Sequence, residues 1–154
     1  MMRRFWLFTL GLLGLIVVDR WLKSLALAAR LPDGQGRIID LPIGKFIFVK
    51  NDSAVFSWPL PNALATDLMI VALLGLLWFG WRAWRRQSWR TMAGVVLMIV
   101  GAASNLYDRV THGFVIDWAY LGPWWPVFNL ADVMIGVGLV LVILPRQRNS
   151  TPKK

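Results

Sequence analysis

Four long apolar stretches constrain this chain more than any other feature: Phe5–Ala29, Asn62–Trp81, Thr91–Leu106 and Phe128–Leu144. A helix of roughly 20 mainly apolar residues crosses a ~30 Å hydrocarbon layer. The stretches therefore predict an all-α membrane protein with four transmembrane helices. At 154 residues there is room for a single integral membrane domain, residues 1–154, and little else. The first stretch also imitates a secretory signal, because Arg3 and Arg4 precede the apolar run and Ala26-Leu27-Ala28 resembles a cleavage site. Three further apolar stretches follow it, and Asp19, Arg20 and Lys23 break the neutral end that a signal peptide has. A spanning helix is the better reading.

The net charge of +9 raises the question of nucleic acid, since clustered Lys and Arg neutralise phosphates. The distribution of the charges answers it. If the first helix starts in the cytoplasm, the segments left on that side are Met1–Arg4, Arg82–Arg90 and Pro145–Lys154. They carry Arg3, Arg4, Arg82, Arg85, Arg86, Arg90, Arg146, Arg148, Lys153 and Lys154 and no acid. This positive-inside asymmetry places both termini in the cytoplasm. No basic face remains for nucleic acid. Residues 146–154 read as a disordered basic tail.

Two segments then face outward, Arg30–Pro61 and Tyr107–Val127. Within the first, Ile38-Ile39, Phe46-Ile47-Phe48-Val49 and Val55-Phe56 are separated by a Pro-Ile-Gly turn. They predict two or three short strands over residues 37–57, forming a small β cradle on the outer membrane surface. In the second, the third helix closes through Asn105-Leu106-Tyr107-Asp108-Arg109 and a loop, Thr111–Val127, follows. Most of the ten Trp residues fall near predicted helix ends, where indoles anchor at headgroups.

All eight acids are Asp, there is no Cys, and His112 is the single His. Thiol nucleophiles, Cys-based zinc sites and multi-His cages are excluded, so no metal or cofactor is expected. Ionisable groups at membrane depth are costly and mark function. Asp19 and Lys23, four apart, share one face of the first helix. Asn105 and Asp108 do the same at the end of the third, and Asn129 and Asp132 at the start of the fourth. Asp117 is delivered by the loop between them. Asp117 and Asp132 can thus meet at the outer boundary, where paired carboxylates tend to share one proton. Such a pair activates water and polarises a carbonyl without metal, Cys or His. The plainer reading is that Asp132 complements a helix start and that Asp108 pairs with Arg109. Asp67 reads as a first-turn acid of the second helix, His112 as a solvent or headgroup contact, and Asp33, Asp40 and Asp52 as turn or surface residues.

Four blocks, in order, resemble the lipoprotein signal peptidases, also called type II or prolipoprotein signal peptidases. Asp19 and Lys23 look like that family's Asp and Lys pair, and Asn51–Ser57 is similar to its Asn-x-Gly-Ala-Ala-Phe-Ser block. Gly101–Arg109 with Gly113–Asp117 resembles its Gly-Asn-x-x-Asp-Arg and Gly-x-Val-x-Asp signature, and Phe128–Asp132 its Phe-Asn-x-Ala-Asp block. Ser53 and Ser104 stand where the family usually has Gly. The resemblance implies that Asp117 and Asp132 are a catalytic dyad of an aspartic endopeptidase, supported by Asn51, Asn105, Arg109 and Asn129, with Asp19, Lys23 and Asp108 in the surrounding polar network. It implies a bacterial cytoplasmic (inner) membrane enzyme with its site near the outer leaflet, cleaving N-terminal to the diacylglyceryl-modified Cys of prolipoproteins. Membrane lipid as surroundings, a monomeric state, no cofactor and inhibition by globomycin-type cyclic peptides belong to the same expectation. A small proton-coupled transporter or channel subunit would favour acids near the bilayer centre and often an internal repeat, and neither is visible. A non-catalytic membrane assembly factor would not need Asp117 and Asp132.

Overall fold

The computed structural model describes residues 2–31, 36, 38–52, 61–85 and 89–144. In chain order these form α1 (Met2–Ala28), β1 (Ile39–Leu41), β2 (Gly44–Asn51), α2 (Asn62–Arg85), α3 (Trp89–His112), β3 (Val115–Tyr120) and α4 (Leu130–Ile143). The fold is mostly helical, with one small antiparallel sheet in the order β1-β2-β3. Asn62–Ala83 and Trp89–His112 are long and apolar enough to cross a membrane by length and composition. The strand expected at Val55-Phe56, residue Ser53, Asp33 and the basic tail Arg146–Lys154 lie outside the described residues.

The helices are inside-out by the standard of a water-soluble bundle. Leu10, Leu13 and Val17 of α1, Val71, Leu74 and Trp78 of α2, and Val137 and Val140 of α4 are exposed. The buried residues include Asp19, Lys23, Asn105, Asp108 and Asn129. Small residues let α3 and α4 approach closely. A Cβ at Gly94 would stand 2.6 Å from the Gly138 carbonyl oxygen, and one at Gly101 would stand 2.5 Å from that of Ala131. Tight contact between small residues is how helices associate where apolar burial supplies no net drive.

Three expectations need correction. The third helix does not close at Arg109, because α3 continues to His112. Asp108 and Arg109 are buried and have partners there, so the helix extends until Gly113 turns it at φ +80°, with the Gly113 N–H donating to the Arg109 carbonyl at 2.9 Å. A glycine in the left-handed region is a common helix stop. Next, the loop expected over Thr111–Val127 carries a strand, β3, which joins β1 and β2 in the described sheet. Finally, α2 starts at Asn62 and has no acid in its first turn, so Asp67 sits too far along to complement the helix dipole.

The sheet positions the site. β1 and β2 form a hairpin pairing Ile39 with Phe46 and Leu41 with Gly44. β2 pairs with β3 through Val49–Asp117 and Asn51–Val115, with an irregularity between Phe46 and Val49. Alternation along β3 sends Ile116 into an apolar cluster with Ala26, Phe48 and Phe114, and Asp117 to the opposite face. An isolated bridge between Ala119 and Phe128 then draws the start of α4 against β3.

Candidate active site

Asn129 is the centre of the site. It is the N-cap of α4, and its Oδ1 accepts from the Asp132 N–H at 3.0 Å. Asp132 returns the bond: its Oδ2 accepts from the Asn129 N–H at 3.1 Å. This reciprocal capping box satisfies two orphan amides of the helix and fixes the Asp132 carboxyl. The Asn129 amide points the other way, donating from Nδ2 to Asp117 Oδ1 at 2.6 Å. One residue thus holds both acids. Asp117 Oδ2 accepts from Asn51 Nδ2 at 2.8 Å, which their diagonal placement on neighbouring strands allows.

A charged layer of α1 and α3 lies behind this pair. Asn105 donates from Nδ2 to Asp132 Oδ1 at 2.8 Å. Its Oδ1 accepts from Lys23 Nζ at 2.7 Å and from Asn129 Nδ2 at 3.2 Å. With two donors on its oxygen, the Asn105 amide can only point its NH2 at Asp132. Lys23 also meets Asp108 at 2.6 Å and Asp19 at 3.5 Å, and all three side chains are completely buried. The i,i+4 pairing of Asp19 and Lys23 is as the sequence suggests. The pairing of Asp108 with Arg109 is not: Asp108 binds Arg20 at 2.6 Å and Lys23 instead, because it faces α1 across the bundle. Arg109 turns to the outer segments, donating to Asn62 Oδ1 at 2.8 Å and to the Asp52 carbonyl at 3.5 Å.

Asp117, 2% exposed, is the acid whose titration the site changes most clearly. Burial first, and the neighbouring Asp132 charge second, push its carboxyl up from the ordinary 3.8 to about 7. The donors on Asn51 and Asn129 and the Lys23 charge pull it part of the way down. A carboxyl poised there holds or releases a proton near neutral pH. His112 is exposed at the end of α3, and Asp40 and Asp52 form exposed pairs with Lys45 and Lys50. Among the described residues, no group of three or more His, Cys, Asp or Glu could hold a metal ion.

Three residues in these networks escape a reading of the sequence. Arg20 binds Asp108 and lies 4.7 Å over the Tyr107 ring; a second base beside the Asp19 and Lys23 pair is itself a signal that a further acid waits elsewhere. Ser104 donates to Asp19 at 2.5 Å. Asn62 receives Arg109 and donates to the Gly113 carbonyl. Ser104 and Asn62 carry no local signal, because only the folded chain brings their partners to them.

A helical bundle capped by a small sheet over buried carboxylates is a fold with solved counterparts. Two solved bacterial membrane enzymes superpose on it with TM-scores of 0.71 and 0.70, at 20% and 21% identity, over 88% of this chain and 84% and 89% of theirs. Residues 12–146 match the family described as signal peptidase (SPase) II. A lipoprotein signal peptidase of Syntrophomonas wolfei is 35% identical over 138 residues, 86% of this chain and 90% of its own. One from Vibrio campbellii is 34% identical over 126 residues, 77% of this chain and 74% of its own. The chain belongs to the signal peptidase II family, a family of membrane peptidases of lipoprotein processing.

Proposed function

We propose that this chain is an aspartic endopeptidase of the bacterial cytoplasmic membrane that removes signal peptides from prolipoproteins, cutting N-terminal to the diacylglyceryl-modified Cys. The observation that carries this reading is the single residue Asn129, hydrogen-bonded at once to Asp117 and to the Asp132 cap. Asp117 and Asp132 share one proton. The ionised member takes a proton from water as its oxygen attacks the scissile carbonyl, and the protonated member donates to the carbonyl oxygen. Collapse of the tetrahedral intermediate breaks the C–N bond as the amide nitrogen is protonated by the dyad. Asn51, Asn105 and Asn129 hold the carboxyls in place, and no cofactor is needed.

All four helices span the bilayer, with both termini cytoplasmic and the site near the outer leaflet. Arg82, Arg85 and Arg90 lie at the opposite end of α2 and α3 from Asn62, Asp108 and Arg109, as positive-inside orientation requires. Ile43, Trp124 and Trp125 are 82%, 91% and 63% exposed on the outer segments, suiting a cradle that dips into the headgroups. A signal helix and two acyl chains can then stay in the bilayer while the peptide bond reaches the dyad. The enzyme works as a monomer, and globomycin-type cyclic peptides compete for the same site.

A gel-shift assay of a lipidated precursor tests the proposal, with wild type, Asp117→Asn and Asp132→Asn at equal membrane levels. Wild type shortens the precursor and neither variant does. A single variant that processes at the wild-type rate overturns the dyad.

A further inference from the structure

The first turn of α4 is held from outside its own sequence. The capping box satisfies the Asp132 and Asn129 amides, but the Ala131 amide between them needs another acceptor. That acceptor is a carboxylate from α1: Ala131 N–H donates to Asp19 Oδ1 at 3.0 Å, and Asp19 and Ala131 are both wholly buried. An acid at a helix N-terminus is favoured by the exposed amides and the helix dipole, here supplied by another helix. The other oxygen of Asp19 is held by α3. Ser104 Oγ donates to Asp19 Oδ2 at 2.5 Å and accepts from Arg20 at 3.3 Å, while Lys23 stands 3.5 Å from the same oxygen. Ser104 is the neutral group in this clamp, and its hydroxyl leaves Oδ1 free to face α4. Asp19 therefore ties α1, α3 and α4 together one residue before Asp132. Ser104 stands where the signature that residues 101–109 resemble usually has Gly.

We infer that Ser104 is a positioning residue for the proposed reaction: it orients Asp19 as a cap on α4 in trans, and that cap fixes the helix turn that carries Asp132. This rests on the reading of Asp132 as one of the dyad. A carboxyl misplaced by about 1 Å can cost on the order of 10²-fold in rate, and loss of one buried hydrogen bond with its partner still charged is enough to let the turn drift. Ser104 touches neither acid of the dyad, so its effect must pass through Asp19 and the backbone.

The test is steady-state cleavage of a lipidated precursor peptide by purified Ser104→Ala, Ser104→Thr and Asp19→Asn, alongside amide hydrogen exchange of the same proteins. Ser104→Ala is expected to lower kcat roughly 3- to 10-fold with KM within about 2-fold, and to speed exchange at Ala131 and Asp132 relative to the rest of α4. Ser104→Thr, which keeps the hydroxyl, restores both. Asp19→Asn, which removes the capping charge, loses more kcat than Ser104→Ala. Wild-type kcat and unchanged Ala131 exchange in Ser104→Ala overturn the inference, as does a uniform rise in exchange along all four helices. An inactive Ser104→Thr with native exchange overturns it too. An active Asp132→Asn control would instead defeat the dyad, which separates the two failures.

Discussion

The two ends of this helical bundle handle charge in opposite ways. At the end that carries Asp117 and Asp132, Asp19, Lys23 and Asp108 are entirely buried, and each is matched within 3.5 Å by an opposite charge. At the other end, Arg82 and Arg85 stay exposed and lie over the rings of Trp78 and Trp81, at 5.1 and 4.9 Å. The first arrangement is expensive, because a buried ion is stable only when its pairing and hydrogen bonds are complete. The second costs little, since a long side chain reaches water while its stem and guanidinium cover an aromatic face. The difference teaches where the molecule has concentrated its polar interactions: around the carboxyls of Asp117 and Asp132, whose positions the buried network fixes, and not around the end that carries Arg82 and Arg85.

The largest break in this comparison comes from the proposed dyad. Asp117→Asn and Asp132→Asn should each lower cleavage at least about 10²-fold, the usual loss for an acid or base in proton transfer, while purified protein remains folded by circular dichroism.

Lys23→Met comes next, because it removes the cation that Asp19, Asp108 and Asn105 share. Asp108 keeps Arg20, but leaving buried Asp19 without its cation should cost about 3–5 kcal/mol, read as a lower denaturation midpoint in mild detergent. Cleavage falls with it, since the Asn105 amide loses the shorter of the two hydrogen bonds that turn its NH2 toward Asp132.

The pH dependence is smaller and has a definite sign. Asp117 ordinarily ionises at 3.8 and here at about 7, so between those values the folded chain keeps a proton that the unfolded chain has lost. The stability that this group contributes therefore decreases as pH rises from about 4 to about 7, and Asp117→Asn removes that slope. Activity that needs the shared proton should fall about tenfold per pH unit above about 7, measured as kcat/KM across a buffer series.

At the opposite end, Arg82→Gln with Arg85→Gln should change stability by under about 1 kcal/mol per side chain. A thermal melt in detergent that moved as far as that of Lys23→Met would erase the contrast between the two ends.

Much of this organisation is written locally in the chain. The apolar stretches mark all four helices, and the turn at Pro42-Ile43-Gly44 joins β1 to β2 as alternating runs on either side of it suggest. The spacing of Asn129 and Asp132 is legible because a helix start needs a cap, and three residues is the capping-box interval. The close of α3 is legible only to within a turn, since Asp108 and Arg109 look like its polar end, and only their partners Arg20, Lys23 and Asn62 show why they stay inside a helix that runs on to His112. β3 is not legible: its pairing partner β2 lies more than sixty residues earlier in the chain. Strand pairing at that separation leaves only alternation as its local trace.

By itself the sequence determined which segments are apolar, which end is basic, and which few acids could do chemistry, because hydropathy, charge and composition are properties of residues in order. Only the tertiary structure decided who partners whom: Asp108 with α1 rather than its neighbour, Asn129 between two carboxyls, and Asp19 on the amide of Ala131. Those choices depend on three helices and a strand arriving at one point, where burial makes every unpaired polar group costly enough to select a single arrangement.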